Sequence, residues 1–239
     1  MLKKIFRLLF WIIGVFALFF LIIYLIYNEK EPAGTPGAEA EAMTQKLFAA
    51  VNKPAWDSLV WVKWTFRGAH HYTWDKQDGQ VEMLWDDYKV LMSTVDYQAQ
   101  IWENGTLLQG EKAEKVRKKA VFNFNNDSFW FCAPMKAADP GTERSVVKLA
   151  DGRVGLKVHY QSGGSTPGDS YVWILDEQGM PTEFYLWVNI LPIKGLPATW
   201  ENWVTLPGGA RLATFHFIAG LNKLPITAVS GGMDPISLN

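Results

Sequence analysis

Residues 8–27, LLFWIIGVFALFFLIIYLIY, form a run of twenty residues without a charged side chain. A helix of this length rises about 30 Å, which is the thickness of the hydrocarbon core of a bilayer. Three basic residues precede the run within residues 1–7, and Glu29 and Glu31 follow it. Because basic residues favour the cytoplasmic side, the sequence predicts a single-pass anchor in a bacterial inner membrane, with a cytoplasmic N-terminus and a periplasmic domain.

A cleaved signal peptide is the competing interpretation of this run. The apolar region of such a peptide is about 7–15 residues long and is followed by a small-residue cleavage site. This run is longer and ends in Tyr-Leu-Ile-Tyr-Asn-Glu, so the sequence favours a retained anchor. Residues 28–37 are rich in Pro and Gly, which predicts a short flexible tether before a domain over residues 38–239.

The charge and cysteine content beyond the anchor restrict the function classes. Three of the 23 basic residues precede the run, so the remainder has 20 basic and 24 acidic residues and a net charge of −4. Without a basic stripe to neutralise phosphates, the sequence predicts no nucleic-acid partner. The single cysteine, Cys132, cannot form an internal disulfide, and its neighbours Phe129, Trp130 and Phe131 predict a buried thiol.

The hydrophobic periodicity of the domain predicts two helices and many short strands. Residues 38–52 and 110–124 have apolar side chains at helical spacing, whereas residues 60–66 alternate with the period of two that is typical of strands. Short turns separate the strand-like runs, and such turns connect antiparallel neighbours. The turn dipeptides are Asp78-Gly79, Asn104-Gly105, Asp151-Gly152, Gln178-Gly179 and Gly208-Gly209.

We therefore predict a mainly β (α+β) domain behind the transmembrane helix. It would be a curved antiparallel sheet, or an unclosed half-barrel, of about ten strands with the two helices on its concave side.

The stretch FRGAHHYTWDK, residues 66–76, contains two adjacent histidines that resemble a metal or catalytic pair. Successive side chains of a strand point to opposite faces, so His70 and His71 cannot readily serve one site. The sequence has neither HExxH nor CxxC, so it predicts no metal site, and we expect no cofactor.

A hydrolase that uses His70 or His71 with Asp169 and Ser165 or Ser170 is an alternative with little support. The segment SGGSTPGDS, residues 162–170, lacks the GxSxG elbow and precedes a strand-like run instead of a helix. A hairpin loop in which Asp169 accepts hydrogen bonds from backbone amides, or a rim that contacts a ligand, explains the same residues.

Aromatic residues are frequent in the domain, and several predicted strands have bulky apolar side chains on both faces. Such a sheet is either covered on both sides or has an apolar groove for a ligand. The ligand-contact residues that we predict for a groove are Trp64, Phe66, His70, Tyr72, Trp74, Trp85, Asp169, Trp173 and Trp187.

A helix followed by a long strand and a β-meander with an inserted helix, over residues 38–217, resembles the LolA/LolB-like superfamily of lipoprotein-carrier half-barrels. The segments HHYTWDK, NDSFWFCAP, DPGTERS and SGGSTPGDSYVWILDE are similar to a group of Bacteroidota envelope proteins. The half-barrel resemblance implies a curved sheet that binds acyl chains without chemistry. The carriers are released into the periplasm or held by a lipid, whereas this chain has an apparent membrane anchor, so a tethered holder or receiver fits it better than a shuttle.

Three hypotheses follow from the sequence. The first is a non-enzymatic, membrane-anchored periplasmic protein that binds a lipid, a lipidated protein or another apolar ligand. The second is a structural or interaction module of a cell-envelope complex, with both sheet faces covered. The third is the His/Asp/Ser hydrolase.

Overall fold

The computed structural model of the protein describes residues 2–162 and 166–238. Four α-helices lie in these ranges: α1 (Leu2–Tyr27), α2 (Ala38–Val51), α3 (Lys53–Ser58) and α4 (Gly110–Cys132). The N-terminal strands are β1 (Trp61–Phe66), β2 (His70–Asp75), β3 (Gln80–Trp85), β4 (Tyr88–Ser93), β5 (Ala99–Glu103) and β6 (Thr106–Leu107). The C-terminal strands are β7 (Thr142–Lys148), β8 (Val154–Tyr160), β9 (Asp169–Leu175), β10 (Pro181–Trp187), β11 (Leu196–Thr199), β12 (Glu201–Thr205), β13 (Arg211–Ile218) and β14 (Asn222–Gly232).

Among the described residues, all fourteen strands belong to one antiparallel sheet. Its order is β6-β5-β4-β3-β2-β1-β14-β13-β11-β10-β9-β8-β7, and β12 pairs with β13 beside this path. The terminal strands of the path, β6 and β7, are not paired with each other, so the sheet is unclosed. The predicted mainly β fold is confirmed, with fourteen strands in place of about ten.

Strand β14 joins the two halves of the sheet, because it pairs with β1 on one side and β13 on the other. No strand was predicted there, where Pro225 and the pair Gly231-Gly232 weaken the signal of a central strand. A bulge adjusts the pairing: one residue separates Lys63 from Thr65 on β1, while their partners on β14 are Ser230 and Thr227. Ala228, at φ 52, lies inside this bulge.

The inner face of the sheet has the apolar side chains that the alternation predicts, and α4 packs across it. On β1 and β2, Trp64 is paired with Tyr72, and their rings are stacked with centroids 4.5 Å apart. Phe131 of α4 stacks on Trp64 at 4.6 Å, and Phe124 contacts Trp74 edge-on at 5.4 Å. Burial of these large rings is the main favourable contribution that this half of the sheet makes to folding.

The helices differ from their predicted bounds at one end each. Helix α2 ends before Asn52, which has left-handed backbone angles, and Pro54 occupies the first turn of a further short helix, α3. Helix α4 runs eight residues past the predicted Phe124, to Cys132. The added turns place Cys132 in the core at 1% exposure, which confirms the predicted buried thiol.

Residues 28–37, the predicted tether, lie against the outer face of the C-terminal strands. Thr35 exchanges two backbone hydrogen bonds of 2.9 Å with Val146 on β7. Glu31 forms an ion pair of 2.5 Å with Lys157 on β8. Gly34 lies so close to the sheet that a Cβ atom there would meet the Ser145 hydroxyl at 1.9 Å. The segment is therefore in close contact with the domain over most of its length.

Candidate functional site

A cavity of about 570 Å³ lies between α4 and the inner face of the C-terminal strands. This volume falls in the range of about 300–1,000 Å³ that is usual for small-molecule sites. The apolar and aromatic lining residues are Phe66, Trp74, Tyr97, Phe122, Phe124, Phe129, Trp130, Pro140, Tyr160, Tyr171, Leu186, Val188, Ile190, Leu191, Leu196, Ile218 and Leu224.

Helical and strand periodicity together supply the walls of this cavity. Phe122, Asn126 and Phe129 follow one another at spacings of four and three residues, so they lie on one side of α4. On the sheet side, Tyr171 of β9 is paired with Leu186 of β10, and both side chains line the cavity. The Phe129 and Tyr171 rings lie 4.6 Å apart, which closes the wall where the helix meets the sheet.

Eleven of the 28 residues that line the cavity have polar or charged side chains. Three of the four charged ones, Asp169, Lys136 and Asp139, have partners. Asp169 is buried at 2% exposure, and its Oδ1 atom accepts a hydrogen bond of 2.7 Å from the backbone N–H of Asn189. Lys136 forms an ion pair of 3.5 Å with Asp139. The guanidinium of Arg67 forms no ion pair with a described residue. The site can therefore hold an apolar body with a small number of directed polar contacts.

Burial raises the pKa of two of the three tyrosines that line the cavity. It raises the pKa of Tyr160 well above its ordinary value, with a smaller contribution from Tyr171. Burial likewise raises the pKa of Tyr171, and the nearby Asp169 carboxylate adds to the effect. The two phenols add no charge to the cavity at neutral pH and remain available as hydrogen-bonding groups.

His70, Tyr72 and Asp127 form a partly buried polar cluster beneath α4. The Oδ2 atom of Asp127 lies 2.6 Å from Nδ1 of His70 and accepts a hydrogen bond of 2.6 Å from the Tyr72 hydroxyl. The Nδ2 group of Asn126 donates to the other carboxylate oxygen at 2.8 Å. Burial, and then the Asp127 carboxylate, raise the pKa of Tyr72, so this phenol is a fixed donor. The contacts pin α4 to β2, which is a structural role.

The predicted site residues fall into four groups. Phe66, Trp74 and Asp169 line the cavity. His70 belongs to the polar cluster, while Trp64, Tyr72, Trp85 and Trp173 are core side chains with at most 3% exposure and do not line the cavity. Trp187 lies on the outer face, where its Nε1 group donates to the carbonyl of Glu29 at 3.1 Å. Direct ligand contact by any of them stays a prediction.

Several residues that form the cavity were not predicted as site residues from the sequence, notably Phe122, Phe129, Tyr160 and Leu186. Phe122 is an exposed aromatic residue that lies three positions after the charged stretch of residues 111–119. That aromatic residue on a polar helix was the one available signal that α4 contributes a second apolar side.

The histidines that were compared with a metal or catalytic pair lie on opposite faces of β2, as predicted. His71 makes a contact of 2.9 Å between its Nδ1 and the Thr65 hydroxyl, away from the His70 side. Within residues 2–162 and 166–238, no group of three or more His, Cys, Asp and Glu side chains is arranged to hold a metal ion.

The structure does not bring together the described residues of the proposed hydrolase. His70 pairs with Asp127 on the inner face, and Asp169 binds the Asn189 amide. Ser170 faces outward, where its hydroxyl donates to Glu31 at 2.7 Å and lies 2.8 Å from Nδ1 of His159. Ser165 lies outside the described residues.

Comparisons with known proteins identify no family for this chain. No protein-family model matches the chain, and no curated protein matches it. Among solved structures, the chain is similar to a DUF1329 family protein from Desulfovibrio piger ATCC 29098, with 9% sequence identity and a TM-score of 0.41. The match covers 80% of this chain and 92% of the other. The resemblance to LolA/LolB-like half-barrels stays a prediction.

Proposed function

We propose that this protein is a membrane-anchored periplasmic binding protein that holds a lipid, the acyl chain of a lipidated protein or another apolar ligand, without catalysis. The single observation that carries this proposal is the cavity of about 570 Å³ with its aromatic and aliphatic walls. Each buried methylene group of a ligand contributes about 0.8 kcal/mol to binding, so an acyl chain is an effective occupant.

Helix α1 supports the membrane attachment in this proposal. Residues Leu9–Tyr27 have a mean hydropathy of 2.9, and none of this stretch is buried against the domain. A helix that is apolar on all sides and uncovered by protein has its best environment in lipid. The three basic residues before it favour a cytoplasmic N-terminus and a periplasmic domain.

The structural or interaction module is the second candidate, and the N-terminal half of the sheet favours it. There α4 covers the inner face with stacked rings, so Trp64 and Tyr72 are at most 3% exposed. A sheet that was covered in this way along its whole length would be a scaffold without a ligand. The two candidates differ in whether the C-terminal cavity is occupied.

Native mass spectrometry of the full-length chain, released from detergent micelles, tests the proposal. We expect wild-type protein to retain a co-purified lipid and to bind a dansyl-labelled fatty acid. Ile218 lines the cavity, so Ile218→Trp fills part of it. Displacing about two methylene groups of a bound chain, at about 0.8 kcal/mol each, lowers the affinity about tenfold.

Val154→Trp is the matched control, because Val154 is 49% exposed and lies outside the cavity lining. This variant should bind the dansyl-labelled fatty acid as wild type does. If wild-type protein retains no lipid and binds no fatty acid, the binding function is wrong and the interaction module is preferred. Equal affinities of Ile218→Trp and wild type would show that the ligand binds elsewhere.

A further inference from the structure

Three neighbouring loops at one end of the sheet form a rim beside the cavity. We define this rim as residues 67–69, 188–195 and 219–223. The first range connects β1 to β2, the second connects β10 to β11, and the third connects β13 to β14 and includes the first two residues of β14. Cross-strand hydrogen bonds hold the loops together: the Arg67 amide donates to Pro225 at 2.9 Å and the Ala219 amide to Pro197 at 2.8 Å. The rim residues that line the cavity are Arg67, Val188, Ile190, Leu191 and Asn222.

The rim is attached to the end of helix α1 by direct hydrogen bonds. Asn28, the first residue after α1, accepts through its Oδ1 atom a hydrogen bond of 2.9 Å from the Lys194 amide. The Glu29 amide donates to the Lys194 carbonyl at 3.1 Å. A Cβ atom on Gly195 would lie 2.8 Å from the Glu29 Cβ, so glycine permits this close approach. These contacts leave no free linker between the end of α1 and the rim.

The side chains of the rim suit the surface of a lipid bilayer. Ile190 is 60% exposed and Leu221 is 87% exposed, although both are large apolar residues. The rim contains Arg67, Lys194 and Lys223 and has no Asp or Glu. Basic residues near a membrane are attracted to anionic lipid headgroups, with about 1 kcal/mol for each residue close to the surface.

The opposite end of the sheet has the reverse character. Its turns lie at residues 76–79, 94–98, 149–153, 176–180 and 206–210. These turns contain five acidic residues and two basic residues, so this end is unsuited to an anionic surface. The acidic residues are Asp78, Asp96, Asp151, Asp176 and Glu177. The rim attached to α1 is therefore basic and these turns are acidic, while Asp86, Asp87 and Asp139 lie at the rim's end of the sheet outside the rim itself.

We infer that the rim rests on the surface of the bilayer that contains α1, with Ile190 and Leu221 in the lipid interface and the three cations above the phosphates. This inference rests on the proposed membrane-anchored binding function and adds the route to the site. The cavity then opens toward the membrane, and an apolar ligand passes between lipid and protein without crossing water.

Depth-dependent fluorescence quenching of the full-length protein in vesicles tests this arrangement. Cysteine is introduced as Ile190→Cys and labelled with bimane, in vesicles of phosphatidylcholine and phosphatidylglycerol that contain a doxyl-labelled lipid. The control is Gln178→Cys, because Gln178 is exposed and lies in the turn of residues 176–180, at the other end of β10 from residues 188–195 and outside the cavity lining. Cys132 does not compete for the label, since it is 1% exposed and burial raises its pKa to about 11.

We expect bimane at position 190 to be quenched at least about twofold more than at position 178, because an interfacial side chain lies about 5–10 Å into the headgroup boundary. Equal quenching at the two positions would overturn the inference. Lipid retention in native mass spectrometry is measured on the same preparations. Retained lipid with no quenching at position 190 would refute the rim contact and leave the binding function standing. Quenching without any bound lipid would refute the binding function and the ligand route, and only the rim contact would remain.

Discussion

The buried histidine of β13 gives the structure a specific dependence on pH. His216 has 0% exposure and lies between the rings of Trp130 and Trp200, with centroids at 5.3 and 4.3 Å. Its Nδ1 atom lies 2.9 Å from the Thr199 carbonyl oxygen. Burial lowers the pKa of His216 from 6.5 to about 4, and outweighs hydrogen bonds to the Thr199 and Trp130 backbones, which favour the charged form.

The direction of the effect follows from proton uptake by the unfolded chain. Between pH 6.5 and pH 4 the unfolded state binds a proton on His216 that the folded state does not, so the free energy of unfolding falls as the pH falls. The full loss, below pH 4, is about 3 kcal/mol at about 1.4 kcal/mol per pKa unit. About 2 kcal/mol of this is lost between pH 7 and pH 5, where few carboxylates titrate.

The assay compares denaturant unfolding of wild type and His216→Asn, in detergent micelles, at pH 7 and at pH 5. The asparagine amide can donate to the Thr199 carbonyl, and it does not titrate. We expect wild type to lose about 2 kcal/mol more than the variant over this range. Equal losses of unfolding free energy in the two proteins would show that burial does not hold His216 neutral.

Three other substitutions test separate parts of the structure. Gly34→Val should destabilise the contact of residues 28–37 with the sheet by about 1–3 kcal/mol, because its side chain would overlap that of Ser145, and faster amide exchange in this segment would reveal the change. Burial lowers the pKa of Lys76 to about 8, so Lys76→Met should remove the gain in stability that wild type shows as the pH rises from 8 toward 10.5; an unchanged pH profile would contradict this. Tyr72→Phe should cost about 1.5–3 kcal/mol in denaturant unfolding, since it removes a hydrogen bond to the Asp127 carboxylate, and a loss within error of zero would refute that role.

The sequence predicted most of the local structure, because local structure follows from local chemistry. The turn at Asn104-Gly105 has positive φ angles of 50° and 80°, as the dipeptide indicates, and it connects β5 to β6. Alternation placed His70 and His71 on opposite faces of one strand. Strand β14 was missed, because Pro225 weakens a strand signal that only its pairing with β1 and β13 restores.

The candidate site was only partly predictable, because alternation gives two faces of a strand without saying what covers each face. Trp64 and Trp74 share the inner face, yet α4 seals Trp64 while Trp74 lines the cavity. Phe184 is paired with Trp173 on the inner face. Because side chains alternate along β10, Trp187, three residues later, is on the outer face. Phe122 and Phe129 enter the site only through the path of α4 across the sheet.

By itself, the sequence determined a helix that is apolar enough to cross a bilayer and a chain of antiparallel strands. Both depend on periodicity and charge within short windows of sequence, where the geometry of the backbone sets which side chains share a face. The tertiary structure alone decided that a hollow remains beneath α4 and that residues 28–37 contact the outer face. Those outcomes depend on contacts between residues far apart in the chain, such as Glu31 with Lys157 and Phe129 with Tyr171, for which the sequence has no local signal.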